Sequence, residues 1–155
     1  MECRKLTIKP SRLSEVYLLA PHLRQADKEE VEAQGKTAEQ ALYEAYKYSE
    51  ECYTAYSGRK IVGMFGICSF GLPCGYKAIW FLGSDESEKY PISFVKKGRD
   101  LIKKVLKTDN IYNMVYCGNE SHIRYIERIG LTVDKEHVFF TEQGFAFYQF
   151  YKLRD

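Results

Sequence analysis

His122 is the side chain in this sequence best suited to moving a proton near neutral pH. It lies in Asn119-Glu-Ser-His-Ile-Arg-Tyr-Ile-Glu-Arg-Ile-Gly-Leu131, an Asn-led run that reads as a helix stopped by glycine. No other residue of that helix has an ordinary pKa in the neutral range. Tyr125, one turn on, carries a phenol that could donate a proton. Carboxylates that could accept one stand at Asp85, at Glu86 and, in an acidic helix, at Glu30. A second chemistry is anion binding. The loop Gly83 to Ser93 leads into a helix opening at Pro91, and a helix N-terminus offers free N–H groups and the positive end of its dipole. Asp85, Glu86 and Glu88 oppose an anion there, whereas Lys89, Ser93, Lys96 and Lys97 favour one. Each residue also has a plainer reading. The acids can be solvated surface groups, His122 can bond backbone at a helix start, and Asn119 can be an ordinary N-cap over Glu120 and Ser121.

The elements that must hold these residues follow from periodicity. Lys77-Ala-Ile-Trp-Phe-Leu82 is almost continuously apolar, as in a strand covered on both faces. Pro91 to Lys107 puts Phe94, Val95, Gly98, Leu101, Ile102, Val105 and Leu106 on one helical stripe. Ile111 to Tyr116 is again strand-like, so this stretch predicts a βαβ unit with parallel strands and a right-handed crossover. Upstream, Lys5 to Lys9 predicts a first strand stopped by Pro10. Ser11 then caps a short helix carrying Val16, Leu18 and Leu19. An acidic helix spans Leu23 to Ala33, and Thr37 with Gln40 forms a capping box for a helix running to about Glu50. Cys52 to Tyr56 and Ile61 to Ile67 form a hairpin across Ser57–Lys60. Two more strands, Thr132 to Phe140 and Phe145 to Leu153, close the chain. Trp80 and Phe81 face opposite sides of their strand, so that one of them can line a pocket.

Composition narrows the class. The 155 residues suit one domain, residues 1–155, that buries roughly two-thirds of its unfolded surface. The N-terminal Met-Glu-Cys-Arg-Lys does not lead into a signal peptide, and no apolar run has the length of a membrane span, which predicts a cytoplasmic protein. The five cysteines, Cys3, Cys52, Cys68, Cys74 and Cys117, show no metal-binding spacing and are expected as reduced, mostly buried thiols. A net charge of +2 gives no argument for nucleic acid. Thirteen tyrosines and nine phenylalanines point to an aromatic core or a surface that packs on a partner.

The order strand, helices, three strands, helix, strand, helix, two strands resembles the core of a GNAT-type N-acyltransferase. Three blocks narrow the resemblance: Leu23-Arg-Gln-Ala-Asp-Lys-Glu-Glu-Val31, Trp80-Phe-Leu-Gly-Ser-Asp85 before Tyr90-Pro-Ile-Ser-Phe94, and Gly118-Asn-Glu-Ser-His-Ile-Arg-Tyr-Ile126. Together, over about residues 20 to 140, they resemble a GNAT-like family of short-tailed bacteriophages labelled internal virion protein A or phage acetyltransferase. The resemblance implies an α/β (α+β) fold with a central mixed sheet of about seven strands and helices on both faces. It implies acetyl-CoA as cofactor, transfer of an acetyl group to an unknown amine or protein acceptor, and phage virion proteins as partners. Host cytoplasm is the implied location, with virion association as the variant.

The implied catalytic residues are His122, Tyr125 and Asp85, and the implied cofactor-binding residues are Leu82, Gly83, Ser93, Lys96, Lys97 and Asn119. The sequence departs from the family in three places. Its phosphate loop lacks the glycine-rich turn, its strand Lys77–Leu82 has no carboxylate, and Ile126 stands where the family has a tyrosine. Tyr125 is adjacent but rotated by about 100°. These departures favour the alternative, a GNAT scaffold without catalysis that serves virion assembly or interaction.

Overall fold

The computed structural model describes residues 5–154, so Cys3 lies outside the described residues. Seven strands form one mixed sheet: β1 (Thr7–Pro10), β2 (Ser49–Ser57), β3 (Lys60–Cys68), β4 (Tyr76–Gly83), β5 (Asn110–Tyr116), β6 (Thr132–Phe140) and β7 (Ala146–Lys152). Their spatial order is β1-β2-β3-β4-β5-β7-β6, and β4 with β5 is the parallel pair. Helices α1 (Leu13–Leu19), α2 (Gln25–Ala33) and α3 (Ala38–Tyr48) precede β2. Helix α4 (Pro91–Leu106) connects β4 to β5, and α5 (Glu120–Arg128) follows β5.

Two apolar clusters sort by face. Phe94, Leu101, Ile102 and Val105 of α4 and Ile123 and Ile126 of α5 meet Phe65, Ile79 and Phe81 of the sheet. Val16, Leu19, Val31 and Leu42 of α1–α3 meet Met64 and Leu82. The alternation within β4 thus sends Ile79 and Phe81 towards α4 and α5, and Leu82 towards α1–α3, as strand geometry requires. Trp80 packs against the second cluster, so Trp80 and Phe81 do serve opposite faces.

Local signals account for most boundaries. Thr37 Oγ1 accepts the Gln40 amide at 3.1 Å and Gln40 Oε1 accepts the Thr37 amide at 3.0 Å, closing the capping box of α3. That helix stops at Tyr48 rather than Glu50, because Ser49 already begins β2. The hairpin strands are longer than the sequence indicates, Ser49–Ser57 and Lys60–Cys68. Ser11 is not the cap of α1. Arg12 holds that position, and Ser11 Oγ instead pairs with Thr54 Oγ1 at 2.8 Å. Glu15 closes this end. Buried in the first turn of α1, it accepts the Arg12 amide and the Thr54 and Tyr56 hydroxyls. The cysteines also differ from expectation: Cys52, Cys68 and Cys117 are free and half-buried, and Cys74 is exposed. Burial pushes the Cys52 thiol up to about 11, which keeps it protonated.

One irregularity organises the functional region. β4 and β5 pair only at Tyr76–Asn110 and Lys77–Ile111, and then diverge. Asn113 bridges the point of parting, donating from Nδ2 to the Ile79 carbonyl at 3.2 Å while its Oδ1 accepts the Met114 amide at 2.8 Å. On the other side of β4 the register with β3 runs unbroken, and Ser84 donates to the Val62 carbonyl. Even-numbered residues of β4 therefore bond β3, and odd-numbered ones direct N–H and C=O towards β5. In the gap those odd residues are Phe81 and Gly83. At the far edge, β6 steps out of register with β7 between Asp134 and Val138. Among the described residues no helix is long and apolar enough to cross a membrane.

Candidate active site

The gap between β4 and β5 is crossed by a buried polar network drawn from both faces of the sheet. From α2, Asp27 accepts the Gly83 amide at 2.9 Å and Glu30 accepts the Tyr116 amide at 2.7 Å. These are strand donors that lost their partners when β4 and β5 separated, and burial demands that they be satisfied. From α5, Asn119 donates from Nδ2 to Asp27 at 3.0 Å and to Glu30 at 3.2 Å. Its Oδ1 accepts the His122 amide at 3.2 Å and the Ser121 hydroxyl at 3.3 Å. Asn119 is thus the N-cap of α5 and the hub of the network at once. The orphan donor it satisfies is the amide of His122 itself.

His122 Nδ1 donates to Glu30 Oε2 at 3.3 Å. Arg24 forks onto Asp27, with Nε at 2.8 Å and Nη2 at 3.0 Å, and its guanidinium lies 5.9 Å from the Phe81 ring centre. All five side chains are buried; Asp27 and Asn119 are fully inaccessible. Two buried carboxylates facing one permanent cation would leave a net negative charge, which a buried site does not tolerate. A protonated His122 balances it. Desolvation alone would strip the proton from His122, but the hydrogen bond to Glu30 and the charges of Glu30 and Asp27 outweigh it and raise the pKa above the ordinary 6.5. Arg24 is held charged in the same way, its desolvation outweighed by the bond and charge of Asp27.

By distance alone, Asp27, Glu30 and His122 could gather round a metal ion, their ligand atoms lying within 4.8 Å of one another. The donor set does not suit one. The carboxylates are already satisfied by Arg24, Asn119, His122 and two backbone N–H groups, and the site's positive charge is already supplied.

Clefts open at both ends of the network. One, of about 310 Å³, lies between α4 and α5 and is lined by Arg24, Phe81, Ser121, Arg124, Tyr125 and Arg128 among others. The other, about 280 Å³, opens on the α2–α3 side, with Glu30, Tyr48, Phe70, Trp80, Met114 and His122 in its walls. Phe81 lines both. Tyr125 donates to the Phe94 carbonyl at 2.9 Å across Gly98 and lies beside His122, with ring centres 6.3 Å apart. Burial raises its pKa well beyond the usual phenol range, so it stays protonated.

The residues singled out from sequence separate into two groups. His122, Tyr125, Asn119 and Gly83 meet around the gap, and Leu82 lines the α2–α3 cleft. Asp85 is exposed and lines a different groove, with His22 and Lys60. Lys96 is exposed, Lys97 lies 5.4 Å over the Tyr53 ring, and neither they nor Ser93 line the α4–α5 cleft. Of the acids in the loop, Glu86 pairs with Lys60 and Lys89, and Glu88 lies 3.8 Å from Arg24. Glu30, expected as a solvated acid, is buried. Asp27, Arg24, Arg124 and Arg128 were not singled out from sequence. A signal was present for each: Asp27, Glu30 and Val31 follow the i, i+3, i+4 spacing of a buried face, and Arg124 and Arg128 are one turn apart.

Comparisons with known proteins bear on the fold. Residues 62–138 match the family described as bacteriophage T7 probable scaffold protein Gp13. The probable scaffold protein gp13 of Escherichia phage T7 is 28% identical over 138 residues, covering 85% of this chain and 88% of its own. Among solved structures, the spermidine N-acetyltransferase of Vibrio cholerae, in complex with CoA and spermine, superposes with a TM-score of 0.68 at 12% identity over 96% of this chain and 95% of its own. An acetyltransferase of Bacillus subtilis with CoA gives 0.63 at 18% identity, covering 97% and 99%. An aminoglycoside acetyltransferase with coenzyme A gives 0.65 at 19% identity, covering 97% and 95%. The similarity to a phage protein is thus to one described as a scaffold, and the seven-stranded mixed sheet with helices on both faces is the GNAT acetyltransferase fold.

Proposed function

We propose that this protein is an acyl-CoA-dependent N-acyltransferase, transferring an acetyl group to an amine acceptor in the cytoplasm of a phage-infected host. The observation that carries this reading is Phe81, whose N–H and C=O face the gap where β4 and β5 part and whose side chain borders both clefts. One donor and one acceptor in strand geometry are what an extended amide chain needs to pair with β4. The residues present fit such a donor. Arg124, Arg128 and Arg24 offer its phosphates cationic partners, Phe81 offers its amide arm a strand edge, and Tyr125 lines the passage between. Acetyl-CoA supplies an activated thioester; the chain supplies position and protons.

Transfer from a neutral amine forms a C–N bond and breaks a C–S bond, while one proton passes from nitrogen to sulfur; an acceptor that arrives as an ammonium first gives its extra proton to solvent. With Nδ1 held by Glu30, His122 works at Nε2. As an imidazolium it gives a proton to the departing sulfur, and it regains one from the acylated nitrogen, so no net proton is consumed. Glu30 and Asp27 keep the imidazolium available, and Arg24 and Asn119 hold both carboxylates in place. Asp85 lies in a separate groove and takes no step in this proposal.

Thermal unfolding with millimolar acetyl-CoA, against adenosine diphosphate as control, tests the reading. Saturation at a hundred times the dissociation constant adds about 2.7 kcal/mol and raises the midpoint by several degrees. Release of free thiol on adding amines then reports turnover. A second reading, an assembly or virion-associated role without catalysis, is supported by the likeness to a scaffold protein and by exposed Phe139 and Phe140. A midpoint unmoved by acetyl-CoA would favour it.

A further inference from the structure

We propose that the α2–α3 cleft takes a primary amine with one positive charge on an apolar stem, the chemistry shared by a lysine side chain and a free alkyl monoamine. This rests on the acyltransfer reading and narrows its acceptor.

The argument is a census of charge. Two carboxylates line the cleft, Glu30 and Glu44. Glu30 is largely committed: Oε1 accepts the Tyr116 amide, and Oε2 accepts from Asn119 and His122, which leaves room for one further donor at Oε1. Glu44 is paired with Lys36 at 2.6 Å, and Lys36 lines the same cleft. Against these two acids stand Lys36 and the imidazolium of His122, so the walls are close to neutral. A polyamine or an aminoglycoside brings several ammonium groups, each of which must exchange water for a carboxylate or remain uncompensated. With Glu44 paired to Lys36, the cleft offers them at most the one acceptor site left on Glu30, enough for a single ammonium and no more.

The remaining surface suits a hydrocarbon stem. Val31, Leu82 and Met114 line it, and Trp80 spends its sole donor on Ser49 Oγ at 2.8 Å, which leaves the ring as apolar wall. Tyr48 and Phe70 stack at 4.1 Å with 18° between their planes. Phe70 is 67% exposed, so its ring is open to a ligand in the cleft. Lys47 Nζ already lies 5.4 Å from the Tyr48 ring centre, so it is Phe70 that offers a flat aromatic side over which a single ammonium passes favourably before its stem is buried. His122 lines the same cleft, so an amine that fills it approaches the proton-carrying group.

Calorimetric titration of the whole protein with n-pentylamine, an Nα-acetyl-lysine amide, spermidine and kanamycin tests this without requiring turnover. The two single-charge amines should bind, and spermidine and kanamycin should bind at least about tenfold more weakly. Tighter binding of the lysine derivative assigns a protein acceptor, and tighter binding of pentylamine assigns a free monoamine. Phe70→Ala should weaken both by about tenfold. Lys36→Ala should do the opposite for spermidine, raising its affinity severalfold by freeing Glu44, a gain that misfolding cannot imitate. The proposal is overturned if spermidine or kanamycin binds wild-type protein as tightly as the monoamines, or if no amine binds. Titration with acetyl-CoA alone, run in parallel, tests the acyltransfer reading separately.

Discussion

Glu30 and Tyr116 stand 86 positions apart in the chain, yet the Glu30 carboxylate accepts the Tyr116 amide at 2.7 Å. Asp27 does the same for Gly83 on the opposite strand. A single helix turn of α2 therefore sets the separation of β4 and β5, and hence the width of the opening in which Phe81 offers its backbone groups.

Asp27→Asn keeps the shape and removes the charge that Arg24 faces. A buried guanidinium without its carboxylate costs about 3–5 kcal/mol, and the midpoint of thermal unfolding should fall by about ten degrees. A fall of only a degree or two would show that water reaches Arg24 and that the network is looser than described.

His122→Gln should leave acetyl-CoA binding intact and lower kcat by about a hundredfold or more, the usual weight of a proton-transferring group. A variant with undiminished kcat would remove His122 from the chemistry.

Stability should depend on pH through the same residue. The charged groups facing His122 are Glu30, Asp27 and, in opposition, Arg24. Its folded pKa is raised above the ordinary 6.5. The stabilisation is therefore complete below 6.5 and is lost as pH rises through the folded value. Denaturant midpoints measured upward from pH 6 should decline in wild type, and this component should vanish in His122→Gln.

Arg124→Glu with Arg128→Glu should weaken acetyl-CoA binding by more than about tenfold while barely moving the unfolding midpoint, because both side chains are exposed. Wild-type affinity should also fall with added salt, and that dependence should be smaller in the double variant.

Gly98→Ala probes the contact of α4 with α5. A Cβ there would lie 2.6 Å from the Tyr125 hydroxyl and 2.8 Å from Ile129 Cγ2. Separation of the helices should cost about 1–3 kcal/mol in denaturant unfolding.

Most of the scaffold was legible because it rests on local rules. The apolar run at Ile79–Leu82, the stripe Phe94–Val105 and the Thr37–Gln40 box each signal their element over a few residues. The site was only half legible. His122 and Asn119 stood out by residue type, whereas Asp27 and Glu30 looked like members of a solvated acidic helix. What buries them is the separation of two strands more than fifty positions away, and no pattern within Gln25–Ala33 encodes that event. Lys96 and Lys97 lie apart from the network for the converse reason. They occupy the expected stretch of α4, but the helix turns Lys97 onto Tyr53 and leaves Lys96 in solvent.

The step in β6 between Asp134 and Val138 bears on how this sheet edge meets other chains. β6 is the last strand of the sheet, and Phe139 and Phe140 lie exposed just beyond the step. A straight margin with that much aromatic surface would template the addition of one chain after another. The irregular spacing denies an incoming strand a continuous ladder of hydrogen bonds. At this edge, beside exposed Phe139 and Phe140, the irregularity makes the addition of a further strand less favourable.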